Sequence, residues 1–296
     1  MNTFRMFGAA AACCALVAAV SAAEVKVSEL TGGARQSTLE LKAKNRVANG
    51  AFTVVAIPVR LAGLTLVSVP RGQGNQPGAG YSVTVDRPAT AYLLVHNRGK
   101  VTVPEGWTKV PGTVEWDASG ILFSDTIYLK EIPAGKVDVP AHDGKDGGNF
   151  GIPDAIVIAD RNLESESQAV LSFCNVKSKM RVANGAFSIA EIPDYLKGLP
   201  MVSISRGDGS KPGAAFSYTL AKPAKVYLLV HDRGKAALPD GWTKEEGKVT
   251  WKNGQVKFTD TVYSRECPAG KLEIPAHNGK EGSTFGIPNA IVIAEK

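Results

Sequence analysis

The chain has 296 residues, carries 34 Lys and Arg against 28 Asp and Glu, and is 44% hydrophobic. At roughly 100–200 residues per domain, that length favours two domains. The formal charge of +6 is mild and spread along the chain. It favours acidic partners, such as uronate or sulfate polysaccharides, and with no basic helix or stacking motif it does not describe a nucleic-acid binder.

The first residues read as an export signal. Arg5 supplies a positive start, residues 7–20 are apolar and rich in Ala, and Ser21-Ala22-Ala23 offers small residues for cleavage. A signal peptide over residues 1–23 is expected. The apolar run is shorter than the roughly 20 residues that a membrane-spanning helix needs, so no membrane insertion is expected. A lipid anchor on Cys13 or Cys14 is disfavoured, because Ala10-Ala11-Ala12 precedes them with no Leu. The expected location is secreted or periplasmic.

An internal repeat dominates the rest. At an offset of 135, residues 47–160 overlay residues 182–295 without a gap, with 63 identities in 114 positions. Tyr92-Leu93-Leu94-Val95-His96 meets Tyr227-Leu228-Leu229-Val230-His231, and Gly106-Trp107-Thr108-Lys109 meets Gly241-Trp242-Thr243-Lys244. A unit this long is a whole domain and not a short solenoid repeat. Domain one is set at residues 24–160 and domain two at residues 161–296, with a polar linker at residues 160–167.

Helical periodicity is nearly absent. In the first unit, Leu64-Thr65-Leu66-Val67-Ser68-Val69 is strand-like, and a Gly-rich loop follows from 72 to 80. Tyr81-Ser82-Val83-Thr84-Val85 alternates, then Thr90-Ala91-Tyr92-Leu93-Leu94-Val95-His96 reads as a central strand buried on both faces. Thr113-Val114-Glu115-Trp116 and Ile121-Leu122-Phe123 flank a hairpin tip, and Ala155-Ile156-Val157-Ile158-Ala159 closes the unit. Eight or nine strands of this kind predict an all-β protein, two tandem β-sandwich domains of jelly-roll or Ig-like order. Cys174 and Cys267 stand where the first unit has Leu39 and Ile132. Export permits a Cys174–Cys267 disulfide, and that pairing is expected.

Five paired sets of residues bear on chemistry. His96-Asn97-Arg98-Gly99-Lys100, with His231-Asp232-Arg233-Gly234-Lys235, sits at a strand end, where Arg98 and Arg233 could donate to a sugar hydroxyl or a carboxylate. The alternative is a turn with Arg paired to a nearby acid. Trp107 and Trp242 each follow a Pro/Gly loop, where they either stack on a sugar ring or plug the core. Trp116 and Trp251 lie within strands and read as core. His142 and His277 lie in Gly-rich turns whose spacing matches no zinc or calcium set, so no metal and no cofactor is expected. Asp125 and Asp260 recur with Tyr128 and Tyr263, but no catalytic motif accompanies them.

The run from Tyr92 to Arg98, the Pro104-Glu105-Gly106-Trp107 loop and Pro133-Ala134-Gly135-Lys136-Val137-Asp138-Val139-Pro140 together resemble accessory β-sandwich modules of secreted bacterial polysaccharide-degrading enzymes, pectin lyases among them. The chain has Pro-Ala-His where those modules have Gly-Gly-Asn, and no catalytic domain is expected within it. The resemblance implies a sugar ligand.

The expected function is therefore non-catalytic binding of a polysaccharide, with an acidic one among the candidates. Trp107 and Trp242 would stack on sugars, while Arg98, Arg233, His96 and His231 would donate hydrogen bonds, and two sites on one chain would gain avidity. A structural or adhesive extracellular protein that binds other proteins is the second expectation. A polysaccharide-active β-sandwich enzyme is the third.

Overall fold

A computed structural model describes residues 24–47, 50–69, 80–96, 105–139, 145–146, 149–150, 155–164, 169–175, 179–182, 185–204, 215–232, 240–274, 280–281, 284–285 and 290–295. The expected export signal, residues 1–23, lies outside them. No helix among the described residues is long and apolar enough to cross a membrane.

The protein is nearly all β. Residues 24–160 contribute β1 (Val27–Ser28), β2 (Arg35–Thr38), β3 (Lys44–Val47), β4 (Gly50–Pro58), β5 (Thr65–Ser68), β6 (Tyr81–Val85), β7 (Ala89–His96), β8 (Thr108–Ala118), β9 (Ile121–Ile132), β10 (Gly135–Val139), β11 (Lys145–Asp146), β12 (Asn149–Phe150) and β13 (Ala155–Ala159). Residues 161–296 contribute β14 (Val170–Phe173), β15 (Lys179–Val182), β16 (Gly185–Glu191), β17 (Pro200–Ser203), β18 (Phe216–Leu220), β19 (Ala224–His231), β20 (Thr243–Asn253), β21 (Val256–Cys267), β22 (Gly270–Ile274), β23 (Lys280–Glu281), β24 (Thr284–Phe285) and β25 (Ala290–Glu295).

The repeat in sequence is a repeat in pairing. In the first half the order is β4-β8-β9-β7-β13-β5-β2, with β3 also on β4. In the second it is β15-β16-β20-β21-β19-β25-β17-β14, the same order of equivalent strands. Strand β14 joins the two runs, pairing with β17 on one edge and with β4 on the other, so one 16-stranded sheet passes through both halves.

Strand alternation distributes the core. On β7, Tyr92 and Leu94 enter one cluster with Phe52, Ile57, Leu66 and Trp116, while Leu93 and Val95 enter a second with Val83, Val85 and Val137. The second cluster lies between the large sheet and the smaller β1-β6-β10 sheet. All eight β7 residues are buried, as expected for a strand covered on both faces. The second half repeats both clusters. Each fully buried Leu or Ile contributes about 1.5–3 kcal/mol to this core.

The β8–β9 hairpin is longer than its turn signals suggest. Pro111-Gly112 does not end a strand; it forms a bulge, where the register shifts between Val110 and Thr113. Gly112 takes φ +96° there. At the tip, Ser119 and Gly120 both have positive φ, the backbone of a tight hairpin turn.

The expected disulfide is corrected by the core. Cys174 and Cys267 are both free and buried. Cys174 packs with Phe187, Met201 and Trp251, whereas Cys267 packs with Leu220, Ala224 and Leu272 in the other cluster. They replace Leu39 and Ile132, which likewise belong to the two different clusters of the first half. Each thiol acts as a small hydrophobe.

Candidate functional site

The most chemically loaded cluster is an interior one, and it occurs twice. His96 ends β7 and lies directly across from Asp125 on β9. The Trp116 indole Nε1 donates to Asp125 Oδ2 at 2.7 Å. Asp125 Oδ1 is 3.6 Å from His96 Nδ1. The second half repeats this with the same 2.7 and 3.6 Å distances for Trp251, Asp260 and His231. His231 Nδ1 also lies 3.1 Å from the Thr259 carbonyl, a hydrogen bond that places its proton on Nδ1. A phenyl ring closes each cluster, Phe123 at 5.4 Å from the His96 ring centre and Phe258 at 5.2 Å from that of His231.

These groups are sealed. His96 and His231 are 3% and 2% exposed, and Asp125 and Asp260 are 4% and 2% exposed. Among the described residues, Asp125 Oδ1, Asp260 Oδ1 and the Nε2 atoms of both histidines have no hydrogen-bond partner. In each cluster the indole supplies the hydrogen bond that one oxygen of the buried aspartate accepts. The cluster ties three adjacent strands together and presents nothing to solvent. The expectation that His96 and His231 donate to an external ligand is corrected: each is the last residue of a strand covered by core on both faces, so both rings are buried.

Trp107 and Trp242 occupy an intermediate position. Each precedes β8 or β20, packs partly on its core cluster and stays partly open. A cation lies by each ring, Lys130 Nζ at 6.0 Å from the Trp107 centre and Arg265 Cζ at 4.8 Å from that of Trp242. Arg98, Arg233, His142 and His277 lie outside the described residues. No group of three metal-ligating side chains occurs among the described residues.

In the second half, Asp232 gathers donors: Lys248 Nζ at 2.6 Å, Thr259 Oγ1 at 2.7 Å and Thr261 Oγ1 at 2.6 Å. Partial burial pushes its carboxyl up, but those three hydrogen bonds together outweigh it and hold the group below the usual carboxylate range. A cleft of about 430 Å³ opens between the halves, lined by Arg60, Asp160, Arg161 and Tyr218 among others. Its two guanidinium groups are already paired, Arg60 with Glu164 and Arg161 with Asp160.

The His–Asp–Trp cluster was the residue set that motif reading missed. Its signal was present: all three residue types recur at the offset of 135, and His96 and Asp125 become cross-strand partners once the hairpin is in register.

No protein family matches the sequence, and no curated protein does. Among solved structures, the chain is similar to a β-glucuronidase from glycoside hydrolase family 2, with a TM-score of 0.35 and 11% identity over 92% of this chain and 38% of that one. The chain thus spans under half the length of that protein.

Proposed function

We propose that the chain is a secreted, non-catalytic protein of two tandem β-sandwich modules, residues 24–160 and 161–296, that binds acidic carbohydrate. The observation that carries this reading is the matched pair Trp107 and Trp242. Each ring is partly exposed and has a cation over it, Lys130 or Arg265. An aromatic surface next to a cation suits a uronate: the ring takes the apolar face of the sugar and the cation takes its carboxylate. Arg98 and Arg233, a few residues earlier in sequence, would add further donors. The His–Asp pairs are closed to any substrate, which removes them as solvent-facing acids or bases.

Affinity electrophoresis through gels containing neutral, uronate or sulfated polysaccharide tests this. Retardation by uronate gels that survives moderate salt is expected, and Trp107→Ala with Trp242→Ala should abolish it in a folded protein. Unchanged retardation in that double variant would remove the tryptophans from the site. Retardation by every acidic gel, lost with salt, would reduce the claim to charge attraction alone.

A structural or adhesive role with protein partners is the second reading. The continuous sheet running through both halves favours it, because among the described residues β15 and β2 at its two ends each pair on one edge alone.

A further inference from the structure

The join between the halves is itself a docking geometry. Strand β14 adds antiparallel to the edge of β4, with Val170 opposite Pro58, Leu171 opposite Ile57 and Ser172 opposite Ala56. The Val59 N–H donates to the Ala169 carbonyl at 2.7 Å. Arg60 is sealed there at 7% exposure, bonded to Glu164 and to the Pro111 carbonyl.

Both components of this join exist a second time, and neither makes this join among the described residues. The equivalent of the β4 edge is the end of β16 and the residues after it, Glu191, Ile192, Pro193, Asp194 and Tyr195. No described strand pairs with it on that side. Ala56, Ile57, Pro58 and Arg60 are buried, whereas Glu191, Asp194 and Tyr195 are exposed. Tyr195, in the place of Arg60, is 40% exposed and donates to the Glu246 carbonyl at 2.7 Å, the equivalent of the Arg60 bond to Pro111. The equivalent of β14 is β2, the outermost strand of the sheet, which pairs with β5 alone and exposes all four of its residues.

We propose that β2 of one molecule adds to the β16 edge of a second, so that molecules associate head to tail through the junction that joins the two halves within each. The register of the internal junction would place Gln36 opposite Ile192 and Ser37 opposite Glu191. It would set Arg35 opposite Pro193 and diagonal to Glu191, an opposite charge that accepts from Thr250 Oγ1, while the neighbouring Asp194 is paired with Lys197. The contact is heterologous, leaves a free edge at each end and therefore builds open chains instead of closed dimers. Polar Arg35 and Gln36 replace Val170 and Leu171, so the contact is weaker than the internal one. It does not depend on the carbohydrate reading.

Two prolines test it. Hydrogen bonding alternates along an antiparallel pair, so the bond from Val59 to Ala169 means that Leu171, two residues on, also faces β4. Its equivalent Gln36 faces outward, and Gln36→Pro removes that donor without touching the β5 ladder. Asp194 opens a short 3-10 turn, and Asp194→Pro removes the other outward donor at a position that accepts proline. Sedimentation equilibrium is run on the full chain from about 10 μM to about 1 mM, below the effective concentration a short covalent connection provides.

The wild type should show a mass that rises past a dimer with concentration. Each proline variant should stay monomeric, and an equimolar mixture of the two should form a heterodimer and stop. Arg35→Glu, which leaves the backbone intact, should weaken association about tenfold at low salt. A wild type that stays monomeric or halts at a dimer, a mixture that stays monomeric, or an Arg35→Glu protein that associates like the wild type would each overturn the proposal.

Discussion

Trp116 and Asp125 face each other across the β8–β9 hairpin with the indole Nε1 2.7 Å from Oδ2, and Trp251 and Asp260 repeat the contact at the same distance. A buried carboxylate is costly unless donors reach it. The indole is the donor that permits an aspartate at 4% exposure.

Trp116→Phe keeps an aromatic side chain but removes the donor and the volume of the second ring. It should destabilise the protein by about 2–3 kcal/mol, because a buried acceptor loses its donor and the smaller ring leaves unfilled space. Trp116→Phe combined with Asp125→Asn should cost less than the sum of the two single changes, since the pair shares one interaction. Denaturant unfolding of the four proteins in the cycle measures this. Strict additivity would show that the indole–carboxylate bond does not couple them.

The thiols give a chemical test. Burial pushes the Cys174 thiol from an ordinary 9.0 up to about 12. Neither cysteine should react with a thiol reagent in the native protein at neutral pH, and both should react after unfolding. A reductant should leave the melting temperature unchanged. The folded pKa is raised, so the folded state keeps its proton between pH 9 and 12 while the unfolded state loses it. Stability contributed by this group is complete below pH 9 and falls above it, by up to about 1.4 kcal/mol per pH unit. Cys174→Ala should flatten that alkaline decline.

How much of this was legible in the sequence follows from what each residue's neighbours decide. The all-β character, the doubly buried strand ending at His96 and the hairpin around residues 117–120 follow from local alternation and turn residues. The strand order required the structure, because the long-range pairing of β4 with β8 is not encoded in either segment alone. Pro111-Gly112 looks like a strand end, and only the partner strand makes it a bulge. The disulfide expectation failed because cysteine spacing along the chain does not tell which face of a sheet a residue takes; one step of alternation separates the two clusters. The burial of His96 followed from the doubly covered strand that it ends.

Asp232 makes an acid-side prediction. Its hydrogen bonds from Lys248, Thr259 and Thr261 hold its carboxyl below the usual range. The folded pKa is depressed, so the stabilisation is present above the unfolded value and is lost as pH falls through the folded value. Asp232→Asn should remove part of the acid-induced loss of stability below about pH 4. The site is partly open, so the effect at neutral pH should stay under about 1 kcal/mol. Thermal melts from pH 7 to pH 2 would measure it, and parallel curves for the two proteins would show that Asp232 does not report on folding.

The bulge glycines separate backbone strain from crowding. Gly112 has φ +96°, and a Cβ there would sit 3.2 Å from Pro58 Cγ; Gly247 has φ +85°, with Pro193 Cγ at 3.1 Å. Gly63 has φ +82° and nothing within 4 Å of such a Cβ. All three substitutions to Ala force a left-handed backbone on a residue with a side chain, at about 1 kcal/mol. Gly112→Ala and Gly247→Ala must also displace a proline ring packed at the edge where β14 docks or, in the second half, where Tyr195 stands open. They should therefore cost more than Gly63→Ala, by about 1–2 kcal/mol. Gly112→Ala should be the worse of the two, because Pro58 is held in register against Val170 while no described strand pairs at Pro193. Chemical denaturation of the three variants would rank them. A Gly63→Ala protein as unstable as Gly112→Ala would mean that the backbone conformation alone sets the cost, with the proline contact adding nothing.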